Sequence, residues 1–306
     1  MPESFVDHAG FSLWTENFGQ DSSPCVLLIT STQAIWWDAD FCRSLAEADR
    51  HVIRFDNRDT GLSSTAREGA QPYSIDDLVG DAVAVLDAYG VVAAHVVGCF
   101  TGGFVAQRLA LLHPDRLETL TLISTTPVLR EAAHAVLRGS SAGLDLPLPH
   151  SADQAELEDA VAPWRSELDN DRRTYVENQL HVLRLECGSR FAFDEEYWRA
   201  LITCTSERAR DLRGHYRQWD ALLTASPDLR PQLRSLKTPT LILHGTEDRT
   251  IPVEHAEALA DAIPNARLVA IEGLGHQFHK ALYPLWTTEI VAHTSIKRRD
   301  LPGLSH

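Results

Sequence analysis

The chain has 306 residues, of which 44% are hydrophobic and 23% are charged, and this is an ordinary globular composition. Its formal net charge of −15 argues against nucleic acid and anionic membrane surfaces as partners. The first residues do not resemble a secretory signal peptide, and no apolar run approaches the roughly 18 residues of a membrane span. Five scattered cysteines without a CxxC pair predict free thiols and a cytoplasmic location.

The first part of the chain alternates predicted strands and helices. Ala9-Gly10 is typical of a hairpin turn between two N-terminal strands, and the next apolar runs indicate strands that are buried on both faces. Ser74 begins a capping box for a helix that Gly90 closes. The predicted elements are strands at 5–8, 11–18, 25–30 and 51–56 and helices at 41–48 and 75–89.

The alternation continues after residue 90 but is interrupted once. Further strands are predicted at 95–99, 117–124, 240–243 and 266–271, and further helices at 102–112 and 253–262. This order predicts an α/β fold with a mostly parallel sheet covered by helices on both faces. Residues 126–235 are rich in helix and charge, and we expect them to form a helical cap over the carboxyl ends of the strands. The core then comprises residues 1–125 and 236–306.

A tight turn follows the strand that begins near His95. The sequence Gly98-Cys99-Phe100-Thr101-Gly102 has the frame of the G-x-S-x-G elbow, whose middle residue is exposed above the sheet on a strained turn. Phe100 occupies the middle position. Because a benzyl group cannot attack a carbonyl, the nucleophile expected at this turn is missing.

Four motifs together resemble the α/β-hydrolase superfamily. They are the D-x-R-x-x-G-x-S loop at 56–63, the elbow, the G-x-x-D-x-x-x-P acid loop at 245–252 and the G-x-G-H loop at 273–276. Their order is the order of that superfamily. The resemblance implies the α/β-hydrolase fold with an inserted helical cap, and it assigns a base and an acid to His276 and Asp248.

Within this superfamily the chain is similar to the aclacinomycin methylesterase type, which trims a methyl ester from anthracyclines. The similar phrases lie at 51–54, 58–61, 82–87 and 95–98, and Gly214-His215-Tyr216 in the cap extends the likeness. The resemblance implies a bacterial tailoring enzyme whose partner is a small, polycyclic aromatic polyketide. No phosphate loop or dinucleotide fingerprint is visible in the sequence, so no cofactor is expected, and a homodimer stays open as the assembly.

The surviving histidine and carboxylate suggest a chemistry that needs no serine. An imidazole backed by a carboxylate is a general base near neutral pH, and anthracycline-like phenols and β-ketoesters carry acidic protons. We therefore expect His276 to deprotonate the substrate while Asp248 orients the imidazole. Phe100 would form an aromatic floor beneath a flat ring. Cyclisation, elimination, rearrangement and oxygenation are all compatible outcomes.

The loop after the first buried strand also departs from the family, because it lacks the glycine that lets the backbone approach an oxyanion. Ser31, Thr32 or Gln33 is expected to bind a carbonyl or a developing enolate through its side chain. The other predicted substrate-binding residues are Trp36, Cys99, Thr101, Tyr216 and Trp219.

Two alternatives stay open at this point. One is a binding protein without turnover, whose affinity for its ligand would not depend on His276. The other is an ester hydrolase that uses Thr101, Cys99 or a water molecule activated by His276. His276 and His279 have an H-x-x-H spacing, but no nearby carboxylate or cysteine completes a metal site, so none is predicted.

Overall fold

A computed structural model describes residues 3–31, 33–67, 69, 71–138, 144–147 and 171–296. In this part of the chain eight strands form one sheet. They are β1 (Glu3–His8), β2 (Phe11–Phe18), β3 (Cys25–Ile29), β4 (His51–Phe55), β5 (Ala94–Cys99), β6 (Leu117–Ile123), β7 (Thr240–Gly245) and β8 (Arg267–Ile271). Their order across the sheet is β1-β2-β4-β3-β5-β6-β7-β8.

The sheet is mostly parallel, as the alternation of elements predicts. Strand β2 pairs antiparallel with both β1 and β4, and the remaining neighbours pair parallel. Ala9 and Gly10 form the hairpin turn with φ values of +49° and +83°. All residues of β3, β4, β5 and β7 are buried, as expected for inner strands of a sheet with both faces covered, and β3 is apolar throughout.

Helices cover both faces of the sheet. They are α1 (Ala39–Glu47), α2 (Ile75–Ala88), α3 (Thr101–Leu112), α4 (Leu129–Arg138), α5 (Arg172–Leu185), α6 (Glu195–Arg208), α7 (Gly214–Leu223), α8 (Arg230–Leu233), α9 (Glu254–Ala262) and α10 (Tyr283–His293), with 3-10 turns at Ala34–Trp36, Pro114–Arg116 and Lys280–Leu282. The capping box is present, because Ser74 Oγ accepts from the Asp77 N–H and Asp77 Oδ2 accepts from the Ser74 N–H. Among the described helices, each is too short or too polar to cross a bilayer.

The two faces of the sheet have separate hydrophobic cores. Leu27 and Ile29 of β3 pack in a cluster with α2, α3 and α9, whereas Val26 and Leu28 pack in a second cluster with α1 and α10. This division follows from the alternation of side chains along a strand. The predicted α/β architecture, a mostly parallel sheet with helices on both faces, is confirmed.

The sequence pattern does not predict α10. Pro284 lies at its second residue, and the β-branched pair Thr287-Thr288 has a low helix propensity. Proline is tolerated in the first turn of a helix, where its missing N–H has no partner to lose. Burial of Trp286 and Ile290 against the sheet then decides the conformation.

The described part of residues 126–235 contributes helices and no strand, in accordance with the predicted cap; the boundaries at 126 and 235 stay a prediction. Helices α5 and α6 share a small hydrophobic cluster of their own. Its members include Leu180 and Leu183 of α5 and Trp198 and Ile202 of α6. This cluster gives the two helices a core that is separate from the two cores of the sheet.

Two ion pairs with buried aspartates fasten this helical region to the loop after β4. Arg208 Nη2 of α6 lies 3.0 Å from Asp56 Oδ2, and Arg217 Nη2 of α7 lies 2.8 Å from Asp59 Oδ1. Both aspartate side chains are fully buried. A Cβ atom at Gly214 would lie 1.8 Å from the Asp59 carbonyl oxygen, so a glycine is required where α7 begins.

Replacement of Arg208 by methionine is expected to lower the free energy of unfolding by about 3 kcal/mol, because the Asp56 charge stays buried without its partner. Urea unfolding of the wild type and R208M measures this change. The matched control is R199M on the same helix, because Arg199 pairs with Glu177 and Glu195 in solvent and should leave the urea midpoint almost unchanged. Equal losses in the two variants would contradict the prediction.

Candidate active site

The acid and histidine loops bring Asp248 and His276 together beyond the carboxyl ends of β7 and β8. His276 Nδ1 lies 2.7 Å from Asp248 Oδ2. The other carboxylate oxygen, Oδ1, accepts from the backbone N–H groups of Thr250 and Ile251 at 3.0 and 2.7 Å. These bonds fix the carboxylate, and the bond at Nδ1 leaves Nε2 as the ring nitrogen for proton transfer.

The electrostatics of this pair favour the ionised acid and the protonated base. Burial alone would raise the pKa of Asp248, but the charge of His276 and hydrogen bonds from His244 and His276 hold that pKa well below its usual range. Burial likewise opposes the charged form of His276, but Asp248 and Glu186 raise the pKa of the imidazole above its ordinary value. His276 is therefore a stronger base than a free imidazole.

A second histidine beside the acid was not singled out from the sequence. His244, the fifth residue of β7, is fully buried, and its Nε2 lies 2.8 Å from the Ile251 carbonyl oxygen and 3.3 Å from Asp248 Oδ2. Because a carbonyl only accepts hydrogen bonds, Nε2 carries the proton. His244 therefore holds the acid loop in place, and a polar residue in an otherwise apolar strand was the available signal.

The elbow has a strained backbone geometry with Phe100 at its apex. Phe100 has a φ of +54° and a ψ of −124°, in a region that a bulky residue rarely adopts. A Cβ atom at Gly98 would lie 2.4 Å from the Gly102 carbonyl oxygen, and one at Gly102 would lie 2.4 Å from that of Ile29. The Phe100 ring packs on the imidazole of His276, with 4.4 Å between centroids.

The backbone amide after the elbow apex already has a partner. In this fold that amide, here the Thr101 N–H, is one donor of the oxyanion hole. It donates to Ser31 Oγ at 3.2 Å. Because the hydroxyl accepts this bond with a lone pair, it keeps its own proton for a second bond. The Ser31 hydroxyl, and not the Thr101 N–H, is therefore the group that can still donate a hydrogen bond.

Gln33 and Trp36 contact the cap helix α6. Gln33 Nε2 donates to the Thr205 carbonyl oxygen at 2.9 Å, and its buried Oε1 has no partner among the described residues. The rings of Trp36 and Trp198 lie 6.0 Å apart. Both residues join the 3-10 turn after β3 to α6, and a contact of either with substrate stays a prediction.

The remaining predicted residues divide into buried and undescribed ones. The Cys99 thiol is buried and donates to Thr30 Oγ1 at 3.7 Å. Burial raises the pKa of Cys99 to about 12, which suppresses the thiolate that a nucleophile needs. Thr32 lies outside the described residues, as do the side chains of Tyr216 and Trp219 on α7.

The second member of the H-x-x-H pair has structural hydrogen bonds. His279 Nδ1 accepts from the Ala281 N–H at 3.1 Å, and Nε2 donates to the Ala192 carbonyl oxygen at 3.2 Å. In the described part of the chain, no group of three or more His, Cys, Asp or Glu side chains is placed to hold a metal ion.

Comparison with known proteins gives one consistent result. A family model for the alpha/beta hydrolase fold matches residues 29–280. Rhodomycin D methylesterase DauP of Streptomyces sp. (strain C5) is 34% identical, and rhodomycin D methylesterase DnrP of Streptomyces peucetius is 33% identical. Both alignments cover 96% of this chain and 98% of the relative. A solved hydrolase from Pseudomonas aeruginosa PA01 superimposes with a TM-score of 0.69 at 25% identity, over 96% of this chain and 98% of its own.

The hydrogen bond from the Thr101 N–H to Ser31 predicts what a serine at position 100 would do. Phe100→Ser alone is expected to give only weak nitrophenyl acetate turnover. The reason is that the Thr101 N–H, which would bind the oxyanion, already donates to the Ser31 hydroxyl. Removing that hydroxyl as well, in F100S/S31G, should raise turnover about tenfold, the value of one hydrogen bond. F100A/S31G, which has no nucleophile, is the control. Rapid turnover by F100S alone would show that Ser31 does not obstruct the amide.

Proposed function

The chain belongs to the α/β-hydrolase family, and we propose that it is a cofactor-free enzyme that transfers a proton on a polycyclic aromatic polyketide instead of hydrolysing an ester. One observation carries the proposal. The His276–Asp248 pair is intact, yet the apex that faces it is Phe100, whose ring lies against the imidazole. A base without a nucleophile can still act on a substrate that supplies its own acidic proton.

The substrate class comes from the relatives and from the chemistry of the site. Two near-full-length relatives are named for rhodomycin D, so an anthracycline-type polyketide is the first candidate substrate. Phe100 offers an aromatic surface, and flat aromatic rings pack on such a surface in offset or edge-to-face geometry. Phenolic hydroxyls and carbons beside a ketone are the acidic groups of such a molecule.

The proton transfer uses three groups. His276 Nε2 takes a proton from a phenolic O–H or from a carbon next to a carbonyl, and Asp248 stabilises the imidazolium that forms. The Ser31 hydroxyl donates a hydrogen bond to the phenolate or enolate oxygen as its charge develops. His276 then returns the proton to the product. Ring closure, elimination, rearrangement and reaction with O2 all begin from this anion.

Ester hydrolysis is disfavoured by the same residues. Phe100 cannot form an acyl-enzyme, the Cys99 thiol is buried and protonated, and the Thr101 amide is bonded to Ser31. Hydrolysis by a water molecule that His276 activates is the remaining hydrolytic route, and it predicts the loss of an acyl or methyl mass.

The first test is product analysis by mass spectrometry with rhodomycin D and related polycyclic polyketides. The wild type is expected to form a product that is isobaric with its substrate, lighter by water or carbon dioxide, or heavier by oxygen. His276→Ala should bind the ligand but form less than about one hundredth of the product, because the base is gone. His181→Ala, an exposed change on α5, is the matched control.

Two other results would reject the proposal. Loss of a methyl or acyl mass that depends on His276 would make the protein a hydrolase. Tight binding of a polyketide without any change in its mass or retention time would make it a binding protein, particularly if the affinity is the same in H276A.

A further prediction concerns the Phe100 ring as a packing surface for the ligand. Phe100→Leu keeps an apolar side chain but removes the ring, so the dissociation constant of a bound anthracycline-type ligand should rise about threefold to tenfold. Quenching of the ligand's fluorescence measures this affinity. Phe5→Leu, at an exposed position on β1, is the control and should change nothing. Unchanged affinity in F100L would show that Phe100 only fills space.

A further inference from the structure

We propose that Glu186, a carboxyl group contributed by the cap region, is a positioning residue that stabilises the His276 imidazolium. The kinetic consequences rest on the proposed function, whereas the electrostatic ones do not. Glu186 is absent from the motifs of the sequence, and the predicted base and acid do not account for it.

Glu186 is bonded to both loops that carry the proton-transfer pair. It follows the last residue of α5, and its backbone carbonyl accepts from the His276 N–H at 3.0 Å. Its side-chain Oε1 accepts from Thr250 Oγ1 at 3.0 Å. Thr250 lies two residues after Asp248 in the acid loop. One residue of the cap region therefore fixes the backbone of the base and the loop of the acid.

Glycines let the backbone around Glu186 approach the histidine loop unusually closely. A Cβ atom at Gly275 would lie 1.9 Å from the Glu186 carbonyl oxygen. One at Gly188 would lie 2.2 Å from the Gly273 carbonyl oxygen. Larger residues at these positions would push the two segments apart, so the close approach of Glu186 to the base is built into the backbone.

The charges around Glu186 couple it to the base. Two titratable groups act on its carboxyl from the loops packed against it, namely His276 and Asp248. Burial raises the pKa of Glu186 to about 7, and Asp248 adds to this rise, while His276 and the Thr250 hydroxyl oppose it. In return, the anion of Glu186 raises the pKa of His276. The carboxyl group of Glu186 and the imidazole of His276 are therefore electrostatically coupled.

The coupling determines in which direction the loss of the Glu186 charge changes the pKa of His276. When His276 takes a proton from substrate, the neighbouring carboxylate stabilises the cation that forms. Glutamine keeps the size of the side chain but carries no charge, so E186Q should lower the pKa of His276. The unprotonated base would then persist to lower pH, and it would be a weaker base at its plateau.

The direct test is a titration of the His276 imidazole by NMR in protein with isotope-labelled histidine, without any ligand. The His276 signal is identified by its absence in H276N. Glu186→Gln is expected to lower the pKa of His276 by about one unit, the effect of removing one nearby charge. Glu247→Gln is the matched control, because Glu247 is exposed and bonds to Ser189 in the segment after Glu186; it should leave the pKa unchanged.

An unchanged His276 pKa in a folded E186Q protein would overturn the proposal, and so would an equal shift in E247Q. Circular dichroism and thermal melting establish that the variants are folded. If E186Q does not fold, Glu186→Asp replaces it. That change retains the charge but withdraws the carboxylate by one methylene group, and a His276 pKa equal to that of the wild type would then overturn the proposal.

A second measurement separates this proposal from the proposed function. With a substrate in hand, the low-pH limb of turnover in E186Q should move to lower pH, with a plateau rate below that of the wild type. A structural defect would instead lower the rate at every pH without moving the limb, and that result would overturn the proposal. If the NMR shift is present but no polyketide is converted, the proposed function fails while the coupling between Glu186 and His276 stands.

Discussion

The hydrogen bond between His276 Nδ1 and Asp248 Oδ2 is the contact around which this molecule is organised. Asp248 follows the end of β7 and His276 follows the end of β8, and backbone hydrogen bonds fix each of them. Two backbone amides and His244 hold the carboxylate. Burying polar groups is costly unless they bond to one another, so the loss of one partner weakens the others.

The elbow shows that a strained turn can carry a phenylalanine at its apex. A residue held at a positive φ without being glycine costs on the order of 1–3 kcal/mol, and Phe100 has this conformation. The turn still performs three tasks in this chain: it starts α3, it aims a ring at the base, and it directs the Thr101 amide toward Ser31. The backbone geometry of the family is thus separable from its covalent chemistry.

The fold was predictable from the sequence because its signals are local. The apolar runs of the strands, the box at Ser74 and the glycines of the elbow each depend on residues close in the chain. The helix α10 was not predictable, because its proline and β-branched residues have a low helix propensity. Burial against the sheet overrides this propensity in the folded chain.

The site was only partly predictable, and the reason is physical. Family motifs identify the base and acid, but the partners of Ser31, Glu186 and Gln33 are contacts between segments far apart in the chain. Periodicity and spacing carry no information about such pairs. Gln33 is predicted to bind a carbonyl, and its amide nitrogen also donates to the Thr205 carbonyl oxygen of α6, a contact that the sequence does not indicate.

The two ion pairs that join α6 and α7 to the loop after β4 also restrict the movement of these helices. Lifting α6 and α7 from that loop would leave Asp56 and Asp59 charged and without their arginines, so such a movement is rare at equilibrium. The position of α6 and α7 on that loop is therefore set by charge, and a change to either arginine would loosen both its helix and the loop that it contacts.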